Sequence, residues 1–274
     1  MIIISDKPGQ LGNLLFVYSN FLAYGLENDV KIFNPAFHRY KAYFRGTSDL
    51  TFINNKIVYT LCFLLSRILH RLKIKNNAVK VVALSWDEKI DLENAPSLKN
   101  GLCFTQGWLF RSDRLLTKYK SEIIDFFSLK ESDARILKDF FAKHFQTNET
   151  MIGVHIRRGD YKTFENGKYF YTLQHYINIM LKLVSLFKNS KVRFLICSNE
   201  KYQAQDFGAL QHQVTLALNH ELLDLYSLAK CHYIIGPPST YSMWASFYGN
   251  VPLCLLHEAE RDISFQEFKI SKHS

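Results

Sequence analysis

His155-Ile156-Arg157-Arg158-Gly159-Asp160-Tyr161 closes the apolar run Met151 to Ile156 with a histidine, two adjacent arginines, a carboxylate and a phenol. Charged groups at the end of a buried strand are costly without partners. Planar guanidinium groups bind phosphate through paired hydrogen bonds and stay charged at any working pH. Alternation along a strand sends His155 and Arg157 to one face and Arg158 to the other. One arginine is therefore expected to face a ligand while the other braces a carboxylate such as Asp160. A salt-bridge cluster at a strand end is the competing reading of the same residues.

Three further segments carry polar groups after an apolar run. Ser198-Asn199-Glu200 follows Val192 to Cys197 and suits a base, a ribose or a helix cap. Gly236-Pro237-Pro238-Ser239-Thr240-Tyr241-Ser242 follows His232 to Ile235. There Ser239 and Thr240 open a helix, so hydroxyls and free backbone N–H groups suit either phosphate or plain capping. Gly9-Gln10-Leu11-Gly12-Asn13 joins a first strand to a first helix, and its two glycines permit close backbone approach by a ligand. No G-x-x-x-x-G-K-[ST], G-x-S-x-G or H-E-x-x-H motif occurs, so P-loop, hydrolase-elbow and zincin chemistries lack support.

The elements that must hold these groups alternate. Ile2 to Ile4 reads as a strand and Leu11 to Leu26 as a helix, while 31–57 has no clean period. Ser121 to Phe145 reads as one charged helical stretch ending at a candidate hinge, Gln146-Thr147-Asn148-Glu149. Beyond it come strand Met151 to Ile156, helix Tyr171 to Phe187, strand Val192 to Cys197 and helix Glu221 to Ala229. Strand His232 to Ile235, helix Thr240 to Tyr248 and strand Val251 to Leu256 complete the series. Such alternation predicts a parallel α/β domain whose ligands bind beyond the carboxyl ends of the strands. Domains are expected at 1–148 and 149–274.

Leu61, Leu64, Leu65, Ile68, Leu69 and Leu72 share one helical face, with Arg67, His70, Arg71 and Lys73 nearby. An ordinary packed helix is the commoner origin of such a face. A basic amphipathic helix lying on an anionic membrane, across 61–75, is the other.

The chain has 274 residues with 34 basic and 25 acidic side chains, a net charge of +9, which favours anionic partners without choosing among them. The apolar and charged shares, 47% and 22%, exclude a disordered or fibrous chain. Five widely spaced cysteines (Cys62, Cys103, Cys197, Cys231, Cys254) suggest neither a disulfide framework nor a zinc site, and a reducing, cytoplasmic setting is expected. No apolar run is long enough to span a bilayer, so a soluble or peripheral protein is expected. The basic residues are dispersed and no recognition motif appears, so nucleic acid is not an expected partner.

Taken in order across residues 9 to 250, these segments resemble the α-1,2-fucosyltransferases of glycosyltransferase family 11. The resemblance rests on Gly9 to Asn13, Gly153 to Tyr161, Phe194 to Ser198, Asp224 to Cys231 and Ser239 to Ala245. The chain departs from the family pattern at Leu14-Leu15, Asn199-Glu200, Pro238-Ser239 and Met243. The resemblance implies a GT-B-like α/β fold of two Rossmann-like halves with parallel sheets, an acceptor-side N-terminal half and a nucleotide-sugar-binding C-terminal half. It implies inverting transfer of L-fucose from GDP-β-L-fucose to a hydroxyl, the 2-OH and often that of galactose, of a glycan acceptor in surface-polysaccharide biosynthesis. It further implies no cofactor and no metal, with Arg157 contacting the β-phosphate. His155, Arg158, Asp160 and Tyr161 would shape the donor pocket, with Ser198, Ser239, Thr240, Ser242, Gly9, Gly12 and Asn13 as further donor contacts. Asp160 and Glu165 are the two candidates for the general base, Glu165 by its offset from Arg157 as in related α-1,6-fucosyltransferases. A lipid-linked acceptor at an inner membrane face would give the basic helix a role.

Overall fold

Ile2–Ile4 is a buried strand, β1, and runs through a turn into α1, Leu11–Asn28. The computed structural model describes residues 1–47, 55–74, 76, 78–258 and 262–272. After α1 come β2 (Ile32–Phe33), α2 (Lys56–Arg71), β3 (Val79–Ala83), β4 (Ile90–Asp91), β5 (Leu102–Gln106) and β6 (Phe110–Arg111). Two short helices follow, α3 (Asp113–Lys118) and α4 (Lys120–Phe126). The chain divides into two compact units, Met1–Asp133 and Ala134–Lys272.

The first unit carries a parallel sheet in the order β2-β1-β5-β3. Its core is aromatic, with Tyr18, Phe37, Phe44 and Phe127 meeting at ring separations of 5.4 to 5.9 Å, mostly edge to face. The segment read as irregular, 31–57, holds β2, a 3₁₀ turn at Pro35–Phe37 and the start of α2, while 48–54 lies outside the described residues.

Ser121 to Phe145 is not one helix. It is broken after α4, and α5 spans Glu131–His144. The reason is tertiary: Arg45 N donates to Ser128 O and Lys130 N to Tyr43 O, each at 2.9 Å, so the backbone helix continuation needs is bridged to Tyr43–Arg45. The expected hinge also differs. The division into units falls at α5, whereas Gln146 to Glu149 is a tied turn. There Glu149 N donates to Gln146 O at 3.1 Å and Gln146 N to the Glu149 carboxylate at 3.1 Å.

The second unit is a five-stranded parallel sheet: β7 (Glu149–Ile156), β8 (Lys191–Ser198), β9 (Val214–Leu216), β10 (Tyr233–Gly236) and β11 (Leu253–Leu255). Crossovers include α6 (Leu173–Leu186), α7 (Glu221–Leu228) and α8 (Thr240–Gly249). Strand alternation explains the two faces. Ile152, Val154, Ile156, Phe194 and Ile196 pack with α6 residues on one side. Met151, Leu195, Cys197 and Ile234 pack with Leu228 and Ala245 of α7 and α8 on the other. The four buried cysteines of the chain and the half-buried Cys62 are free thiols.

The strand order is β11-β10-β7-β8-β9, a doubly wound arrangement whose order reverses between β7 and β10. In such sheets the crevice at the carboxyl ends of the strands flanking the reversal is where ligands bind. Both units thus have the α/β, Rossmann-like construction expected of a GT-B-like chain.

The packed-helix expectation for α2 is corrected. Of its residues only Ser66 is buried, and the leucine face is exposed apart from Leu69, which is half-buried. Lys75, the last residue of the 61–75 segment, lies outside the described residues.

Candidate active site

β7 ends at Ile156, and the chain leaves the sheet through Arg157 and Arg158 into a 3₁₀ turn at Gly159–Lys162. That turn folds Asp160 back onto Arg157, whose Nε donates to Oδ1 at 3.0 Å and whose Nη2 donates to Oδ2 at 2.6 Å. The paired donors make a fork-to-fork ion pair, more directional than a single contact. The arginine side chain is only 14% exposed and the aspartate 47%. Burial would raise the Asp160 carboxyl, but the hydrogen bonds and charge of Arg157 overcome it and hold the group below the ordinary range. Arg157 also lies over the Tyr161 ring at 5.3 Å.

Arg158 points elsewhere, as the alternation requires. Its guanidinium covers the Phe170 ring at 4.8 Å, and its buried Nε, though outside hydrogen-bond geometry, forms the ion pair with Glu200 at 3.4 Å. Its backbone N donates to Asn199 Oδ1 at 3.0 Å, which ties the β7 exit to the β8 exit.

The turn after β10 closes the crevice from the other side. Gly236 sits so near the end of β7 that an added Cβ would stand 2.8 Å from His155 Cβ and 2.9 Å from its carbonyl oxygen. Tyr161 Oη donates to the Pro238 carbonyl, fastening the arginine loop to the α8 entrance. Ser239 is the N-cap of α8, its Oγ accepting from Tyr241 N at 3.3 Å. Ser242 is fully buried, and its hydroxyl donates to Ser239 O at 3.2 Å. Thr240 is half-buried at the first turn. The first N–H groups of a helix have no partner inside it, so this terminus offers donors and the positive end of the helix dipole.

His155 is buried beneath this entrance, with its ring 4.9 Å from that of Tyr241 and Nδ1 without a hydrogen bond. Burial, reinforced by the Arg157 charge, pushes its pKa down to about 3. It is therefore neutral near pH 7 and adds no charge to the site.

Beyond the ends of β8 and β9 lies a cavity of about 330 Å³, lined among others by Ser198, Glu200, Tyr202, Leu216, Asn219 and Asp224. Ser198 Oγ accepts from Glu200 N at 3.0 Å in a local turn, so it caps no helix. Asp224 opens one of the segments that carry the family resemblance but was not among the expected site residues. It is buried, its Oδ1 has no partner, and burial pushes its pKa up to about 6 against the backbone groups of His220 and Leu218. A lone carboxylate within Leu222-Leu223-Asp224-Leu225 was the available signal. Asp224 is among the residues that line the cavity, and its buried Oδ1 is an acceptor without a donor.

Glu165 is exposed in the following loop, where Glu165 and Asn166 hold left-handed backbone at φ 45° and 57° and Gly167 follows at φ 77°. Such a conformation is strained for a glutamate and costs of order 1 kcal/mol. Gly9, Gly12 and Asn13 belong to the first unit. Gly9 is left-handed at φ 71° beside the Asn13 side chain, and Gly12 is buried in the opening turn of α1. Across the reversal in that sheet, Asp6 accepts from Gly107 N at 3.0 Å.

Solved structures reproduce the architecture. A variant of Arabidopsis thaliana FUT1 in complex with GDP aligns with 100% of this chain and 74% of its own at a TM-score of 0.70 and 11% identity. Bradyrhizobium NodZ, an α-1,6-fucosyltransferase soaked with GDP-fucose, aligns over 93% and 94% at a TM-score of 0.58 and 14% identity. POFUT1 in complex with GDP-fucose aligns over 90% and 93% at a TM-score of 0.56 and 10% identity. No curated protein matches the sequence. Residues 110–267, more than half of the chain, match glycosyl transferase family 11. The doubly wound second unit, with its arginine-bearing crevice, lies almost wholly within that match, and the chain belongs to glycosyl transferase family 11 as a glycosyltransferase of GT-B-like fold.

Proposed function

We propose that this chain transfers L-fucose from GDP-β-L-fucose to a sugar hydroxyl, with inversion and without a metal ion. The observation that carries the reading is the crevice between β7 and β10. There Arg157 and the α8 N-terminus flank the strand ends, and the neighbouring cavity is lined in part by Asp224, whose Oδ1 has no hydrogen-bond partner. A diphosphate needs fixed positive charge and N–H donors. Guanine presents N1–H and N2–H side by side, a pair that one carboxylate can accept and that uracil does not offer. The GDP complexes of similar folds support the same donor.

In this reading GDP lies with its base toward Asp224 and Ser198 and its phosphates toward Arg157 and Thr240. The acceptor oxygen attacks the fucose anomeric carbon on the face opposite the diphosphate. As the C–O bond to the β-phosphate breaks, the electron pair stays with GDP and Arg157 balances the growing charge. Preorganised donors of this kind are worth roughly 3–4 kcal/mol of barrier. Asp160 is spent on Arg157 and is held below the ordinary carboxylate range, so it is a positioning residue. Glu165 is the better base, because its loop holds it exposed next to the arginine turn. Tyr161 and Ser242 act through the framework, joining the two turns.

The acceptor reading is the 2-OH of a galactose-containing glycan of a surface polysaccharide, following the family pattern. The test is transfer in EDTA from labelled GDP-fucose to galactosides, with the product linkage and anomer read by NMR. An α-fucosyl product supports the reading. Turnover of UDP-galactose or GDP-mannose with GDP-fucose left intact overturns the donor.

A further inference from the structure

We propose that α2 is a membrane-docking helix that seats the chain on an anionic lipid bilayer. The proposal rests on the surface of the first unit and does not depend on the donor assignment. Ile57, Leu61, Leu64, Leu65, Ile68 and Leu72 follow one another at helical spacing and are each between 46% and 73% exposed. Large apolar side chains are common singly on protein surfaces, but a contiguous stripe marks an interaction face.

The opposite side of the helix is already used. Ser66 is buried and accepts from the Gln106 amide at 2.7 Å, which pins α2 against the end of β5. Tyr59 and Phe63 are half-buried, with rings 6.0 Å apart, and Tyr59 meets the His38 ring at 5.6 Å. The helix is therefore held by one narrow face, and its leucine face is turned away from the sheet.

Charge selects the occupant. Lys56–Arg71 contains no acidic residue. At 100° per residue, Lys56, Arg67 and Arg71 run along one flank of the apolar stripe. His70, Arg71 and Lys73 cluster at its carboxyl end, and Arg67 lies over the Phe63 ring at 5.7 Å. An uncharged protein partner or a second copy of this net +9 chain gains nothing from that flank, whereas acidic headgroups do. No helix among the described residues is long and apolar enough to cross a membrane, so the contact is interfacial, with leucines at the acyl boundary and basic residues at the headgroups.

The experiment is flotation of the full chain with vesicles of phosphatidylcholine alone or with about one-third phosphatidylglycerol, at low and high salt. Two variants accompany it, Leu61→Ser/Leu65→Ser/Ile68→Ser and Arg67→Gln/Arg71→Gln/Lys73→Gln. These side chains are exposed, and circular dichroism verifies their folding. Wild type is expected to float only with the anionic vesicles, less so in high salt. Removing the three basic residues should weaken partitioning roughly a hundredfold. The serine variant should lose it altogether. Failure of wild type to float, or flotation of either variant equal to wild type, overturns the proposal. So does a dimer in light scattering that the serine variant dissociates, since the face would then join two copies. Transfer activity on a soluble acceptor reads the donor assignment separately.

Discussion

The two ends of β7 carry similar residues and do opposite things with them. At the amino end the Glu149 side chain is 1% exposed, and Arg193 grips it through Nε and Nη2, at 3.3 and 2.8 Å to Oε1, while Lys191 Nζ approaches to 3.0 Å. Gln146 N completes the set, and these partners outweigh burial to bring the Glu149 pKa down to about 2. At the carboxyl end His155 Nδ1 is buried without a hydrogen bond, as is Asp224 Oδ1 on α7, while Arg158 Nε meets Glu200 as an ion pair at 3.4 Å. A satisfied cluster stabilises, whereas buried groups left without hydrogen bonds are the features on which the proposed donor site rests. Ion pairs nonetheless stand at both ends, Arg157 with Asp160 and Arg158 with Glu200 at the carboxyl end, so the salt-bridge reading of the arginine pair holds alongside the binding one.

The largest effect expected at the open end is from Arg157→Ala. Steady-state transfer should fall about a thousandfold in kcat/KM, while thermal unfolding changes little. Glu165→Gln comes next, with kcat lower by about a hundredfold and GDP affinity unchanged by calorimetry. A Glu165 variant with full activity would leave the reaction without a side-chain base.

Asp224→Asn should weaken GDP binding by roughly tenfold to a hundredfold, a loss of about 1.4–2.8 kcal/mol. The same change should stabilise the unliganded protein at neutral pH. The sign follows from Asp224 titrating near 6 in the fold against 3.8 ordinarily. Its ionised form is disfavoured by folding, so the penalty is present above pH 6 and is relieved as pH falls toward 3.8. GDP affinity should move the other way, declining as the carboxyl protonates below pH 6.

The smallest effect, and the one confined to the closed end, is Glu149→Gln. It should lower stability by roughly 1–3 kcal/mol, shifting Tm by about 2–4 °C per kcal/mol, with GDP affinity intact. Because Glu149 titrates near 2 rather than 4.5, its contribution is complete above pH 4.5 and disappears as pH approaches 2. Acid melts of wild type and variant should converge in that window.

Much of the second unit was legible because its strands are apolar runs ended by polar turns, as Met151 to Ile156 shows before Arg157. The first unit was less so. Val79–Ala83, with Lys80 inside it, and Leu102–Gln106 are strands whose place in the sheet depends on partners distant in sequence. The break after Phe126 depends on Tyr43 to Arg45 in the same way. Within the site, Arg157 and Asp160 declared themselves by type and spacing. Asp224, though inside a quoted segment, did not, because its burial beside a cavity exists only in the folded sheet. Ser242 shows the converse, a hydroxyl in the right motif that the fold turns inward.

The central claim is that nucleotide binds at the open end of β7 through Arg157 and Asp224. Calorimetric titration of GDP and UDP into wild type, Arg157→Ala, Asp224→Asn and Glu149→Gln, at neutral pH and at about pH 5, tests it most directly. The account predicts GDP-selective binding that is lost or sharply weakened in the first two variants, weaker at the lower pH, and unchanged in Glu149→Gln. Equal binding of GDP and UDP, or wild-type affinity in both Arg157→Ala and Asp224→Asn, would contradict it.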